Sequence, residues 1–173
     1  MKKTLKYIFA GIMALAAISC EKDGEILTVS NPEPATGLGA DPTERVLTAT
    51  EKDNLGMTFW WKNGGGASVS NPSAALPDGL VASTLQFSAT EGFESAYSQS
   101  LEAGASSVQF SVEALNNIVL RLGVTEETAT KVYVRVATTL GKTSVFSESL
   151  AVTVTPYIGD TGAMKMNDKD SGT

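Results

Sequence analysis

Apolar and polar residues alternate along most of the chain between residues 45 and 157. In LGMTFWWK (55–62), one side of an extended chain carries the large apolar residues Leu55, Met57, Phe59 and Trp61. A period of two is typical of a strand with one buried face. The same period predicts six further strands: RVLTAT (45–50), LVASTLQFSAT (80–90), AYSQSLEA (96–103), SSVQFSV (106–112), KVYVRVATT (131–139) and SLAVTVTPY (149–157).

One segment, EALNNIVLRLG (113–123), has the period of a helix instead. Its apolar residues are spaced i, i+3, i+4 and i+7, at Leu115, Ile118, Val119 and Leu122. Ser111 or a neighbouring residue is suited to the N-cap, Glu113 to the first turn and Gly123 to the position after the last turn. About seven strands with one short helix between the fifth and the sixth predict an all-β fold, a sandwich of the immunoglobulin or fibronectin III type.

The segments on either side of this pattern are polar. Residues 20–44 are rich in turn formers and predict a tether, in which ILTVS (26–30) could form an edge strand because proline follows closely. Residues 45–157 form the predicted sandwich domain, and residues 158–173 a disordered tail or linker. Within the domain, the stretch GGGASVSNPSAALPDG (64–79) exceeds a usual hairpin connection and predicts a mobile flap or a binding loop.

The N-terminal residues have the pattern of a secretory signal. Lys2, Lys3 and Lys6 precede twelve uncharged, mostly apolar residues (7–18), and the charges resume at Glu21. A bilayer-spanning helix needs about 20 apolar residues, so this run predicts a cleaved signal, residues 1–19, and not a membrane span.

Cys20, the one cysteine of the chain, would be the first residue after cleavage. Ala17, Ile18 and Ser19 before it resemble the bacterial lipobox, although leucine is usual where Ala17 stands. A cysteine in this position can carry several acyl chains on its thiol and its freed amine, and two or more chains hold a protein stably at a membrane. We therefore expect Cys20 to be the lipid attachment site, and a disulfide within the chain is excluded.

Composition narrows the classes of function further. The chain has 13 basic and 19 acidic residues, a net charge of −6, and removal of the signal takes three lysines with it. An acidic surface repels nucleic acid, so we expect no nucleic-acid partner. Without histidine or a second cysteine, the usual catalytic triads and zinc ligand sets are excluded. The acids cluster in turns and at the termini, where solvated charges are usual, so we predict neither an enzyme nor a metal or cofactor site.

Several segments in order resemble one family. CEKDGEILTVSNPEPA, LGMTFWWK, TLQFS, FSVEALNNIVLRLG, VYVRVATTLG and SLAVTVTPY are similar to the N-terminal domain of SusE proteins, outer-membrane lipoproteins of polysaccharide-utilisation systems. The resemblance implies glycan capture at the cell surface, beside a porin and other starch-binding lipoproteins. The sequence departs from the family pattern at two places. Ser83 stands where the family favours tyrosine, and the loop 64–79 is unusually rich in glycine, alanine and serine. The acids Glu21, Asp23 and Glu25 also resemble a short export signal for the outer face of the membrane.

The resemblance transfers no glycan-binding residue, because in such members the binding aromatics belong to later domains. Trp60, which alternation directs outward, is the one local candidate for stacking on a sugar ring, with Gln109 and Ser111 beside it. Tyr133 also points outward, but in the opposite sheet.

Two hypotheses follow. The first is a SusE-like surface lipoprotein whose domain is a membrane-proximal spacer or docking module in starch or glycan uptake. The second is a structural or protein-interaction lipoprotein without glycan binding.

Overall fold

The computed structural model describes residues 28–62, 66–70 and 79–158. The helix α1 (Val112–Arg121) and a short 3-10 helix (Ala49–Glu51) accompany nine strands in these residues. The strands are β1 (Thr36–Asp41), β2 (Glu44–Val46), β3 (Leu55–Lys62), β4 (Val81–Ser88), β5 (Ala96–Ser100), β6 (Ser107–Ser111), β7 (Thr130–Leu140), β8 (Thr143–Phe146) and β9 (Leu150–Thr155).

The strands form two sheets. One has three strands in the order β1-β3-β6, and the other has the order β2-β9-β7-β4-β5 with β8 also paired to β7. The pair β2–β9 is parallel, and the other pairs are antiparallel. The all-β sandwich predicted from alternation is confirmed. The helix also lies where it was predicted, between SSVQFSV and KVYVRVATT.

Three aromatic rings join the two sheets. Phe59 and Phe110 come from neighbouring strands of the three-stranded sheet, and Phe87 comes from β4 in the other. The ring centroid of Phe87 lies 5.6 Å from that of Phe59 and 5.4 Å from that of Phe110, both in edge-to-face geometry. Such pairs contribute about 0.5–1.5 kcal/mol each beyond the area they bury. This cluster is the centre of the core.

The chain crosses from one sheet to the other between β1 and β2, at the cis peptide bond Asp41–Pro42. β2 is short because its partner β9 ends at Thr155. After Leu47, whose N–H donates to Thr155 O at 2.9 Å, the chain turns into the 3-10 helix. The strand predicted over 45–50 is therefore wrong in its second half. β1 was not predicted, because Gly37 and Gly39 interrupt the alternation.

A register shift alters the beginning of β3. The pairing with β6 shifts between Leu55 and Met57, which is the effect of an extra residue on one strand. Met57 is buried as predicted, whereas Leu55 is 53% exposed. The expectation that Leu55 faces the core is therefore wrong, because a bulge moves the residues before it out of phase with the rest of the strand.

The termini of α1 follow the sequence signals. The Ser111 hydroxyl accepts a hydrogen bond from Ala114 N at 3.2 Å, which satisfies one free donor of the first turn. Glu113 lies in the first turn and Arg121 in the last, and each complements the helix dipole there. Gly123 has φ +77°, the left-handed conformation that glycine adopts without strain.

Part of the predicted tether and part of the predicted loop pair with each other. Val29 forms a bridge with Val69, Ser30 N donates to Ser68 O at 2.8 Å, and Glu33 N donates to Gly66 O at 2.9 Å. Residues 28–33 and 66–70 thus extend the β1–β3 pair as a two-stranded ribbon. Gly79, the last residue of the predicted loop, is described. Residues 64–65 and 71–78 of that loop lie outside the described residues, and so do residues 26–27 of the predicted edge strand.

Asn116 ties α1 to the end of the last strand. Its side chain is fully buried, Nδ2 donates to Tyr157 O at 3.3 Å, and Oδ1 accepts from Tyr157 N at 2.9 Å. The amide thereby pairs with the Tyr157 backbone as a neighbouring strand would. Helical spacing alone does not indicate this role, because Asn116 lies between apolar positions of the helix.

We expect Asn116→Ala to lower the free energy of unfolding by about 1–3 kcal/mol, because it leaves two backbone groups of Tyr157 without partners. Asn117→Ala is the matched control: it changes the same residue type on the same helix at an exposed position, and its effect should stay within about 0.5 kcal/mol. Urea unfolding followed by tryptophan fluorescence measures both. Equal effects of the two substitutions would contradict the role of Asn116.

Candidate functional site

Trp60 lies on the outer face of the three-stranded sheet. Its neighbours Phe59 and Trp61 are buried, so alternation along β3 directs Trp60 away from the core. Its side chain is 41% exposed. The predicted outward orientation of Trp60 is therefore confirmed, and part of an aromatic surface is open to solvent on the middle strand of the sheet.

Gly39 makes room for the indole. It is the cross-strand partner of Trp60 on β1, and Ser107 is the partner on β6. A Cβ atom at position 39 would lie 2.6 Å from Cε2 and Cζ2 of Trp60 and 2.8 Å from Nε1, closer than any such contact allows. The ring therefore rests against the backbone of β1, which holds it along the sheet surface. This contact gives Trp60 a structural role whether or not it binds a ligand.

Polar side chains occupy the next row of the same face. Thr58 pairs with Asp41 on one side and Gln109 on the other, so these three residues lie two positions along the strands from Trp60. That separation is about 7 Å. Gln109 is a diagonal neighbour of the indole, as predicted. Ser111 is not beside it, because Ser111 pairs with Leu55 and its hydroxyl caps α1.

The chemistry of this face suits a polyhydroxylated ring. An exposed aromatic surface can stack on the apolar side of such a ring. The carboxylate of Asp41, the amide of Gln109 and the hydroxyls of Thr58 and Ser107 supply donors and acceptors for hydroxyl groups. We name this surface, formed by Gly39, Asp41, Thr58, Trp60, Ser107 and Gln109, the Trp60 face.

Tyr133 does not contribute to the Trp60 face. It lies on β7 in the six-stranded sheet, between Ser88 of β4 and Ala151 of β9. Because the two residues belong to different sheets and both point away from the core, they cannot contact one ligand together. This agrees with the expectation from the sequence.

Arg135 is the centre of a second cluster, on the outer face of the six-stranded sheet. Its Cζ lies 4.0 Å from the ring centroid of Phe93 and 3.9 Å from that of Phe146. Its Nε donates to Oε1 of Gln86 at 2.8 Å. Burial between the two rings lowers the pKa of the guanidinium, which nevertheless stays charged at neutral pH. Through Phe93 these contacts hold the segment that precedes β5 against the sheet, and through Phe146 they hold β8 there. They give Arg135 a structural role.

Cys20 lies outside the described residues, so its attachment to lipid stays a prediction. Among the residues that the structure describes, no three cysteine or acidic side chains come together as a metal site would require. No α-helix in the described ranges is long and apolar enough to cross a membrane.

We expect Gly39→Ala to destabilise the protein by about 1–3 kcal/mol, because the new methyl group overlaps the indole of Trp60. In a Trp60→Ala background the same substitution should cost nothing, since the space is empty and Gly39 does not have a positive φ. A double-mutant cycle measured by urea unfolding isolates this coupling. The same cost in both backgrounds would contradict the contact.

Comparison with known proteins identifies the family. The model of the SusE outer membrane protein family matches residues 22–137, which is more than half of the chain. Comparisons with curated proteins and with solved structures give no match. The matched range includes β1 to β6, α1 and most of β7. The chain therefore belongs to the SusE outer membrane protein family.

Proposed function

We propose that this chain is a lipid-anchored lipoprotein that assists the binding and uptake of starch or a related glycan, with its sandwich as a membrane-proximal spacer or docking module. Membership of the SusE family assigns it to the outer membrane and to starch utilisation. The observation that carries the proposal is the extent of the family match, from Lys22 beside Cys20 through most of the sandwich. The proposal includes no catalytic step, in keeping with the absence of histidine from the sequence.

The sequence before Cys20 supports the anchor, and the length of chain after it supports a position close to the membrane. Eight residues lead from Cys20 to Thr28, the first described residue. An extended chain spans at most about 3.6 Å per residue, so Thr28 lies within about 30 Å of Cys20. From Thr28 the chain enters the ribbon and then β1. The sandwich would thus stand directly above the bilayer.

The acids near the anchor support exposure at the cell surface. Glu21, Asp23 and Glu25 follow Cys20 closely and resemble an export signal. The acidic chain should not be drawn to anionic lipid head groups, so the acyl chains would provide the attachment. We propose the porin and the other lipoproteins of the same uptake system as protein partners, because the family is associated with that system.

The anchor is tested by labelling cells with palmitate. We expect label in the wild-type protein and none in Cys20→Ala, which should also leave the membrane fraction, because the thiol is the attachment point. Ser30→Ala, which retains Cys20 and lies in the exposed ribbon, should be labelled like the wild type. Unchanged labelling of Cys20→Ala would rule out this attachment.

The Trp60 face favours a second, more specific role, direct contact with the glycan. It combines an exposed indole with a row of hydrogen-bonding side chains on one face of the three-stranded sheet. One aromatic platform without a second ring supports weak binding, because only one side of a sugar can be covered. Such a site would guide a glycan near the membrane and leave tight capture to other components of the system.

Affinity electrophoresis in starch gels and calorimetry with starch oligosaccharides test this contact. We expect retardation of the wild-type protein and loss of retardation in Trp60→Ala, because the stacking surface is removed. Tyr133→Ala, on the opposite sheet, is the control and should be retarded normally. Retardation that survives Trp60→Ala would exclude the Trp60 face, and no binding by the wild-type protein would restrict the domain to spacing or docking.

The alternative is a structural or protein-interaction lipoprotein with no glycan contact. It is favoured by the contact between Trp60 and Gly39, which accounts for the tryptophan without a ligand. This alternative shares the anchor and the fold with the proposals above, and starch binding that depends on Trp60 would exclude it.

A further inference from the structure

The outer edge of β5 presents backbone groups that have no strand partner. β5 is the last strand in the six-stranded sheet and pairs with β4. Leu101 N donates to Ser83 O at 2.9 Å, and antiparallel ladders alternate between residues bonded inward and residues facing outward. The N–H and C=O groups of Ala96, Ser98 and Ser100 therefore point away from β4. These three residues are exposed.

Other strand edges carry features that discourage the addition of a strand. β1 has a register shift between Thr36 and Gly39 and is followed by Pro42. β8 has only four residues and is preceded by the charged Lys142. After β8 the regular pairing with β7 ends, because Val136 N donates to the hydroxyl of Ser147 and not to a backbone carbonyl. β6 runs directly into α1. β5 has a regular register, no charge, no proline and only alanine and serine at its exposed positions.

A cleft runs between β5 and α1 beside this edge. The Arg121 guanidinium lies 5.6 Å from the ring centroid of Tyr97, and together the two side chains divide the cleft. One hollow, of about 260 Å³, reaches Ala96 and Leu122. The other, of about 180 Å³, reaches Phe110 and Gln99. Side chains of a strand added to β5 that face inward would enter these hollows.

Arg121 is the one charged residue among those that line the two hollows. The described residues contain one ion pair, between Arg45 and Glu51, so the guanidinium of Arg121 is not paired with a carboxylate among them. The acids that flank β5 along the chain are Glu94 and Glu102, and Glu94 accepts a hydrogen bond from the Thr90 hydroxyl that lowers the pKa of its carboxyl. A guanidinium in a largely uncharged cleft binds a carboxylate best, by two parallel hydrogen bonds.

We propose that the β5 edge and the adjoining cleft bind an extended, acidic segment of a partner protein, which adds a strand to the six-stranded sheet. Backbone hydrogen bonds to Ala96, Ser98 and Ser100 provide affinity, and alternate side chains provide specificity. A carboxylate contacts Arg121, and an apolar side chain two residues along fills a hollow. An acidic glycan could supply a carboxylate but not the regular row of donors and acceptors that this edge matches. The inference does not depend on the glycan proposal.

Selection of a displayed library of random ten-residue peptides against the full chain in detergent tests the proposal. We expect the selected peptides to carry Asp or Glu two residues from a large apolar residue, and to slow amide hydrogen exchange at Ala96, Ser98 and Ser100. Arg121→Gln should weaken their binding about tenfold or more, as loss of a charged hydrogen bond does. Ser98→Pro should abolish binding, because it removes an outward N–H and leaves the pairing with β4 intact.

Ser98→Lys is a second edge variant in case proline disturbs folding, and Ser144→Lys on β8 is the control that should bind normally. Selected peptides that bind equally to Arg121→Gln and to both Ser98 variants would overturn the proposal. So would a selection without binders, or peptides that leave exchange along β5 unchanged. Binding of polygalacturonate that depends on Arg121, with no peptide binding, would reassign the cleft to an acidic glycan.

Discussion

The contact of Phe87 with Phe59 and Phe110 is the interaction on which the rest of the structure depends. It joins the two sheets through rings packed edge to face, and a strand directs successive side chains to opposite faces of its sheet. Burial of Phe59 therefore directs Trp60 to the outer face of its sheet. Burial of Phe87 in the same way directs Gln86 outward to Arg135. The chemistry of both outer surfaces follows from one inner contact.

The two ends of the described chain are held to this core by different means. At the beginning, the ribbon of residues 28–33 and 66–70 leads into β1, and the crossing at Pro42 places β2 in the second sheet. At the other end, Asn116 pairs with the backbone of Tyr157. These contacts fix where the chain enters the domain and where it leaves it.

The sequence predicted correctly those features of secondary structure that residues close together along the chain determine. The seven predicted strands all have counterparts, Ser111 caps the start of α1, and Gly123 follows its C-cap Leu122 in the left-handed conformation. It was misleading at Leu55, which a bulge turns outward, and silent on β1 and β8. β1 contains two glycines, and β8 has only four residues. Such strands form because a partner strand is available, which no local pattern reports.

For the candidate sites, the sequence by itself determined the signal pattern before Cys20, the outward direction of Trp60 and the absence of histidine. Only the tertiary structure decided that Gly39 lies under the indole, that Arg121 meets Tyr97 and that β5 ends its sheet. The physical reason is the range of the interactions. Alternation and helix caps are set by residues a few positions apart, whereas register, bulges and open edges depend on pairing between distant segments.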